Sequence, residues 1–186
     1  MIRSVQMQTP IEIDKTTWLS QVIIRQLCGA DLAALEWDGE FTHFRRVYSE
    51  AYRRAQSGYS VLWVAEHPEA GIVGQVFIQL ICDRPELADG TCRAYLYSFR
   101  IRPEYRCIGL GTRMLKVVHK DLRERGFQTI TLNVAKDNLR AQQLYEKQGY
   151  RIVAHEPGIW SYPDEKGIWH KVNEPAWRME KPLSKD

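Results

Sequence analysis

Arg106-Cys107-Ile108-Gly109-Leu110-Gly111-Thr112 is the stretch on which the fold of this chain turns. It lies between an alternating β-type run and an amphipathic run with helical spacing. A helix N-terminus leaves backbone N–H groups unpaired and carries partial positive charge, so it attracts phosphate oxygens. Glycines at alternate positions remove the side chains that would block close approach. Arg106 and Thr112 add a charge and a hydroxyl. The segment lacks the G-x-x-x-x-G-K-[ST] pattern, and Met114 stands where a dinucleotide fingerprint needs its third glycine. Two glycines alone would equally make a tight strand-to-helix turn, so the flanking pattern must decide.

Toward the N-terminus, residues 93–102 read as a strand stopped by Pro103. Two further runs, 60–66 and 72–82, are separated by a turn containing Pro68 and Gly71, and the polar loop 83–90 follows them. Short connections imply an antiparallel meander. Residues 22–27 read as an earlier strand, and Asp31 as the N-cap of a short helix over 32–37. Phe41, Phe44, Val47, Tyr48, Ala51, Tyr52 and Ala55 recur at steps of three and four and predict a helix ending near Ser57-Gly58. Their aromatic rings read as core, with Tyr48 and Tyr52 also placed to look into a cleft.

Toward the C-terminus the pattern alternates. Helix 109–125, strand 128–135, helix 138–148 and strand 150–155 follow, with Gly126 and Gly149 closing the helices. This predicts an α/β (α+β) fold: a mixed central sheet whose antiparallel N-terminal meander joins a βαβ crossover. Residues 1–20 read as an N-terminal arm, and 21–183 as a single domain. An aromatic-rich loop at 156–176 carries Trp160, Tyr162, Trp169 and His170, and a short final strand over 177–180 follows it.

Composition agrees with one domain. The chain has 186 residues, 44% hydrophobic and 26% charged, with a formal net charge of +3. Lys and Arg are scattered, so no nucleic-acid partner is expected. No apolar run suits a membrane span, and residues 1–9 lack the features of a secretory signal. Cys28, Cys82, Cys92 and Cys107 fit no zinc or redox spacing; they read as free thiols, no metal is expected, and a cytoplasmic location is the default.

The chain resembles the GCN5-related N-acetyltransferase (GNAT) superfamily. Arg106-Cys107-Ile108-Gly109-Leu110-Gly111 matches its R/Q-x-x-G-x-G/A pyrophosphate motif. Asn138-x-x-Ala141-x-x-Leu144-Tyr145-x-x-x-Gly149-Tyr150 matches its second signature in order and spacing. The likeness covers residues 21–156 well, the last strand loosely, and neither the arm nor the aromatic loop.

That resemblance implies a fourth and a fifth strand that splay apart around the pantetheine of acetyl-CoA (CoA). It assigns Phe99, Arg100, Ile101 and Asn133 to the cofactor on those strands, with the backbone of Phe99 and Ile101 pairing with the pantetheine amides. Arg106, Cys107, Ile108, Gly109, Leu110, Gly111 and Thr112 would wrap the pyrophosphate. Asn138 would contact the cofactor, and Tyr145 would be both a cofactor contact and the general acid for the departing thiolate. It implies an acyltransferase that acetylates a primary amine of a small molecule or peptide directly, without a covalent enzyme intermediate.

The base is not transferable. Some relatives carry a fifth-strand glutamate where this chain has Asn133, which cannot take a proton at neutral pH. Glu66 and His170 are candidates by elimination, each with a structural or solvent-exposed reading beside it. The acceptor would lie among residues 37–52 and 160–169, whose aromatic rings suit cation–π contacts with an acceptor or equally a homodimer interface. An acyl-CoA-binding module without turnover, and a plain interaction domain, stay open as alternatives.

Overall fold

The structure, a computed structural model, describes residues 15–183. Most of the expected N-terminal arm therefore lies outside the described residues. Its last part forms α1 (Lys15–Gln21).

The strands are β1 (Ile23–Gln26), β2 (Ser60–His67), β3 (Gly71–Gln79), β4 (Arg93–Ile101), β5 (Thr129–Ala135), β6 (Arg151–Glu156), β7 (Ile159–Pro163), β8 (Trp169–Asn173) and β9 (Ala176–Pro182). Seven form one mixed sheet in the order β1-β2-β3-β4-β5-β9-β6. The first four are antiparallel neighbours, and only β4 and β5 run parallel, as the change of pattern after Ile101 predicts. β9 inserts between β5 and β6, antiparallel to both.

Alternation along the strands serves two cores. On β2, Val61 and Ala65 pack into one cluster, while Leu62 and Val64 pack into the other. The first cluster is closed by α3 (Leu110–Glu124), whose Leu110, Met114, Leu115, Val118 and Leu122 are fully buried at steps of three and four. Each such burial contributes roughly 1.5–3 kcal/mol. α4 (Leu139–Lys147) covers the same face through Leu144 and Tyr145. The opposite face is covered by a 3-10 helix, Gly29–Glu36, and by α2 (Arg45–Gln56), which buries Tyr48 and Ala51.

Three expectations are corrected. Asp31 is not the N-cap: Cys28 is, and Asp31 sits at N3, accepting from the Cys28 N–H at 2.8 Å. The helix expected from Phe41 starts as a 3-10 turn, Thr42–Phe44, before α2. The segment at 156–176 is not a loop. β7 and β8 form a hairpin with Trp160 opposite Val172 and Tyr162 opposite His170. Its prolines and glycines sit at its ends and turn, which hid the strands between them.

Among the described residues no helix is long and apolar enough to cross a membrane. None of their His, Cys, Asp and Glu side chains gather in threes to hold a metal. All four cysteines are free thiols.

Candidate active site

β4 and β5 pair from Arg93↔Thr129 to Leu96↔Leu132, and there the pairing stops. Beyond that point β4 continues to Ile101 and β5 to Ala135. The facing backbone edges thus diverge with N–H and C=O groups left without a strand partner. An unpaired edge pairs readily with an extended, amide-bearing ligand.

A bulge sets what projects from the open part of β4. Gln75 pairs with Arg100 but Phe77 with Tyr97, so the register shifts between them. Ser98 takes a left-handed φ of 49°, and buried Gln75 holds it by donating to its Oγ at 2.8 Å. The extra residue reverses the alternation. Phe99 and Ile101 turn to the α3–α4 face, where both pack on the core, and Arg100 turns to the α2 face.

The glycine loop closes the end of this opening. Gly109 caps α3 at φ 94°, and Cys107 is also left-handed at φ 61°. The Arg113 N–H reaches back to the Gly109 carbonyl at 3.1 Å, so the N–H groups of Leu110, Gly111 and Thr112 precede the first helical bond. A Cβ on Gly111 would lie 3.3 Å from Leu144 and 3.4 Å from Ile101, so the glycine lets α3 pack tightly beside β4 and α4. Arg106 donates to the Ile101 carbonyl at 2.8 Å, and Arg140 donates to Cys107 Sγ at 2.7 Å, which places two exposed guanidiniums at the loop. These residues suit an anionic pyrophosphate. Leu110 is wholly buried, so only its backbone faces the loop.

The sequence reading missed α1 here. Trp18 is stacked between His67 and Tyr105, at 4.6 and 4.3 Å, and Arg113 donates to the Leu19 carbonyl at 2.6 Å. A Cβ on Gly109 would lie 3.6 Å from Leu19. A segment that reads as a polar arm therefore packs against the glycine loop. The lone Trp18 was the available signal.

Asn138 is the N-cap of α4; its carbonyl accepts from the Ala141 N–H at 3.1 Å, leaving its amide nitrogen free to donate. Tyr145 is buried, edge-on to Tyr150 at 5.5 Å. Burial, with the Tyr95 phenol nearby, pushes its hydroxyl well above the usual tyrosine range. Asn133 lies where β5 leaves β4, and its buried Oδ1 has no hydrogen-bond partner among the described residues.

The two candidate bases differ. Glu66 accepts from Arg25 Nε at 2.7 Å, and Arg25 also forks onto Asp31 at 2.7 and 2.8 Å. That carboxylate is occupied in an ion-pair network at the β1–β2 edge of the sheet. His170 lies on the hairpin, stacked on Tyr162, with Nε2 2.8 Å from Asp164 Oδ2. Asp164 also accepts from the Lys166 and Ile168 N–H groups, and the His170 bond is the main cause that lowers its pKa. With Nε2–H donating to Asp164, Nδ1 is the nitrogen left to accept a proton.

The hairpin docks through rings on the Thr42–Phe44 turn that leads into α2. Tyr162 lies 4.7 Å from Phe44 and 6.0 Å from His43. Phe41 and Phe44 in turn flank the Arg100 guanidinium at 4.3 and 4.6 Å. At the hairpin's base, the Glu174 N–H bonds the Gly158 carbonyl, and a Cβ on Gly158 would fall 1.7 Å from the Glu174 oxygen. Only glycine fits there. Ile168 and Trp169 at the outer end remain exposed.

Residues 30–150 match the family model described as the acetyltransferase (GNAT) family. Among curated proteins, the mycothiol acetyltransferase of Saccharomonospora viridis is 26% identical over 121 residues, covering 64% of this chain and 40% of that protein. The N-alpha-acetyltransferase 50 of Danio rerio is 29% identical over 94 residues, covering 50% of this chain and 56% of its own. The chain spans about half the length of the curated relatives it matches. Among solved structures, the ribosomal-protein-S18-alanine N-acetyltransferase of Escherichia coli superposes with a TM-score of 0.64 at 22% identity, covering 89% of this chain and 96% of that one. The spermidine N-acetyltransferase of Vibrio cholerae, solved with CoA and spermine, superposes with 0.64 at 19%, covering 88% and 96%.

Proposed function

The chain belongs to the acetyltransferase (GNAT) family, and on that premise we propose that it moves the acetyl group of acetyl-CoA to a primary amine of a small molecule or peptide. The observation that carries this reading is the parting of β4 from β5 after Leu96↔Leu132, with the glycine loop at its open end. When bound, acetyl-CoA supplies a thioester whose carbonyl carbon takes the amine lone pair as the C–S bond breaks.

Each residue then has a task. The backbones of Phe99 and Ile101 pair with the pantetheine amides and hold the thioester in line, where most of the acceleration arises. Backbone N–H groups from Cys107 to Thr112 hold the pyrophosphate, with the charge of Arg106 beside them. The intervening Arg100 backbone faces β3, in register with Gln75, and leaves the cofactor edge to its two neighbours. The unpartnered Asn133 Oδ1 accepts an N–H, and the free Asn138 amide donates to the cofactor.

An ammonium with a pKa of about 10 must shed a proton before it attacks. His170 Nδ1, with its ring oriented by Asp164, is the base this reading favours, because Arg25 already holds Glu66. Tyr145 stays protonated at neutral pH because burial raises it. Its hydroxyl donates a hydrogen bond to the departing sulfur and stabilises the charge that develops there. The thiol proton comes from the amine nitrogen. A second nitrogen proton leaves through the base, so ammonium and thioester become amide, free thiol and one released proton.

Calorimetric titration with acetyl-CoA, with NADH and ATP as controls, tests the first half. We expect saturable binding of acetyl-CoA alone, collapsing in Arg106→Glu. Thiol release with amines tests the second half. Binding without thiol release would instead support the acyl-CoA-binding module, which the engagement of Glu66 by Arg25 and the presence of Asn133 in place of a carboxylate favour. No binding by folded protein would remove both readings.

A further inference from the structure

We propose that the acceptor amine carries a carboxylate and that Arg100 binds it, an inference that rests on the acetyltransferase reading above. The Ser98 bulge turns Arg100 away from the α3–α4 face and onto the aromatic face shared by α2 and the hairpin. There its guanidinium lies over the rings of Phe41 and Phe44, at 4.3 and 4.6 Å, and Nη1 donates to the Tyr48 phenol at 2.7 Å. Tyr48 is itself buried.

Two neighbouring guanidiniums are neutralised within the protein. Asp38 holds Arg102 at 3.1 Å, and Glu36 holds Arg45 at 2.6 Å. Arg100 is half-buried on a bulged strand beside the open cleft, yet it has no carboxylate partner among the described residues. A partly desolvated charge without a counter-ion is costly, and the cost is recovered when an anion arrives. Only one of its N–H donors is taken by a described residue. The two rings and the phenol restrict the plane of the fork, so its remaining donors are pre-organised for a planar, bidentate acceptor.

The same geometry disfavours a polycation. Rings that would hold an ammonium by cation–π contact are already covered by Arg100, whose charge also repels a second amine. A primary amine with a carboxylate on the same small molecule or short peptide satisfies both the cleft and Arg100.

The test is thiol release from acetyl-CoA with two panels, free amino acids and dipeptides, each against its carboxamide, with spermidine as the polycation. We expect carboxylate acceptors to exceed their carboxamides by about 100-fold in kcat/KM, the span of one bidentate charge-assisted pair. Arg100→Gln should bring that ratio close to one. Arg100→Lys, which keeps the charge without the fork, should fall between, and it preserves the test if the glutamine variant does not fold. The panel in which the preference appears distinguishes a free amino acid from a peptide. Transfer that proceeds equally well with carboxamides, or best with spermidine, overturns the carboxylate and leaves the acetyltransferase standing. Binding of acetyl-CoA with transfer to no amine overturns both.

Discussion

The glycine loop and the aromatic face approach β4 from opposite sides, and they are built differently. The loop is one contiguous segment, residues 106–112, whose chemistry comes from backbone N–H groups and two left-handed residues. The aromatic face is assembled from the Thr42–Phe44 turn, α2, Arg100 on β4, and the β7–β8 hairpin, held by ring contacts between residues far apart in sequence. A backbone-built site tolerates many side chains but few changes of conformation. A site built by side chains can be altered at one residue without disturbing its neighbour, which suits a common donor and a variable acceptor.

Two substitutions should separate the halves most sharply. Gly158→Ala puts a methyl group into the Glu174 carbonyl and opens the hairpin base. Misplacing the hairpin should lower transfer by more than about 100-fold while acetyl-CoA still binds, as calorimetry would register. Gly109→Val gives the reverse pattern. A β-branched residue at φ 94° is strained and stands beside the unbonded N–H groups that open α3; acetyl-CoA affinity should drop roughly 100-fold with the hairpin's protection from hydrogen exchange unchanged. If either variant injures both functions equally, the division into halves is wrong.

Tyr145→Phe probes the junction. Steady-state kinetics should show kcat reduced by roughly 30-fold, within the usual span for one lost donor in the transition state, with the KM for acetyl-CoA little changed. Unchanged turnover would make Tyr145 a packing residue for Tyr150. His170→Gln should lower kcat/KM by about 10-fold at neutral pH, with the KM for acetyl-CoA little changed. Unchanged kcat/KM would return the base to water.

The smallest effect concerns stability. Arg25 holds Asp31 down at about 2, below its ordinary value near 4. Because the folded value is the lower, this pair's contribution is present above pH 4 and is lost as the pH falls through 2. Asp31→Asn should cost about 1 kcal/mol at neutral pH in thermal melting, the size of one partly exposed pair that also caps a helix. The difference from wild type should vanish below pH 2. Since Asp31 serves the covering 3-10 helix and not the loop, acetyl-CoA affinity should be unaffected.

How legible each half was in the sequence follows from its construction. The glycine loop, the amphipathic α3 and the signature from Asn138 to Tyr150 are readable because glycine conformation, helix periodicity and capping depend on near neighbours. The hairpin was not readable: its strands have little apolar alternation, and their stability comes from Phe44 and His43 on another element. Nor was α1, whose Trp18 finds its partners at residues 67 and 105.

The amino-acid sequence alone thus determined the order of strands and helices from β1 to β6, the glycine loop and the family, since all three rest on local rules of chain conformation. The tertiary structure alone decided that β9 would lie between β5 and β6, that Arg25 would occupy Glu66 and Asp164 would hold His170, and that Arg100 would turn toward Phe41 and Phe44. Those outcomes depend on one bulge at Ser98 and on pairings across long stretches of chain, where packing and desolvation, not neighbouring residues, set the energy.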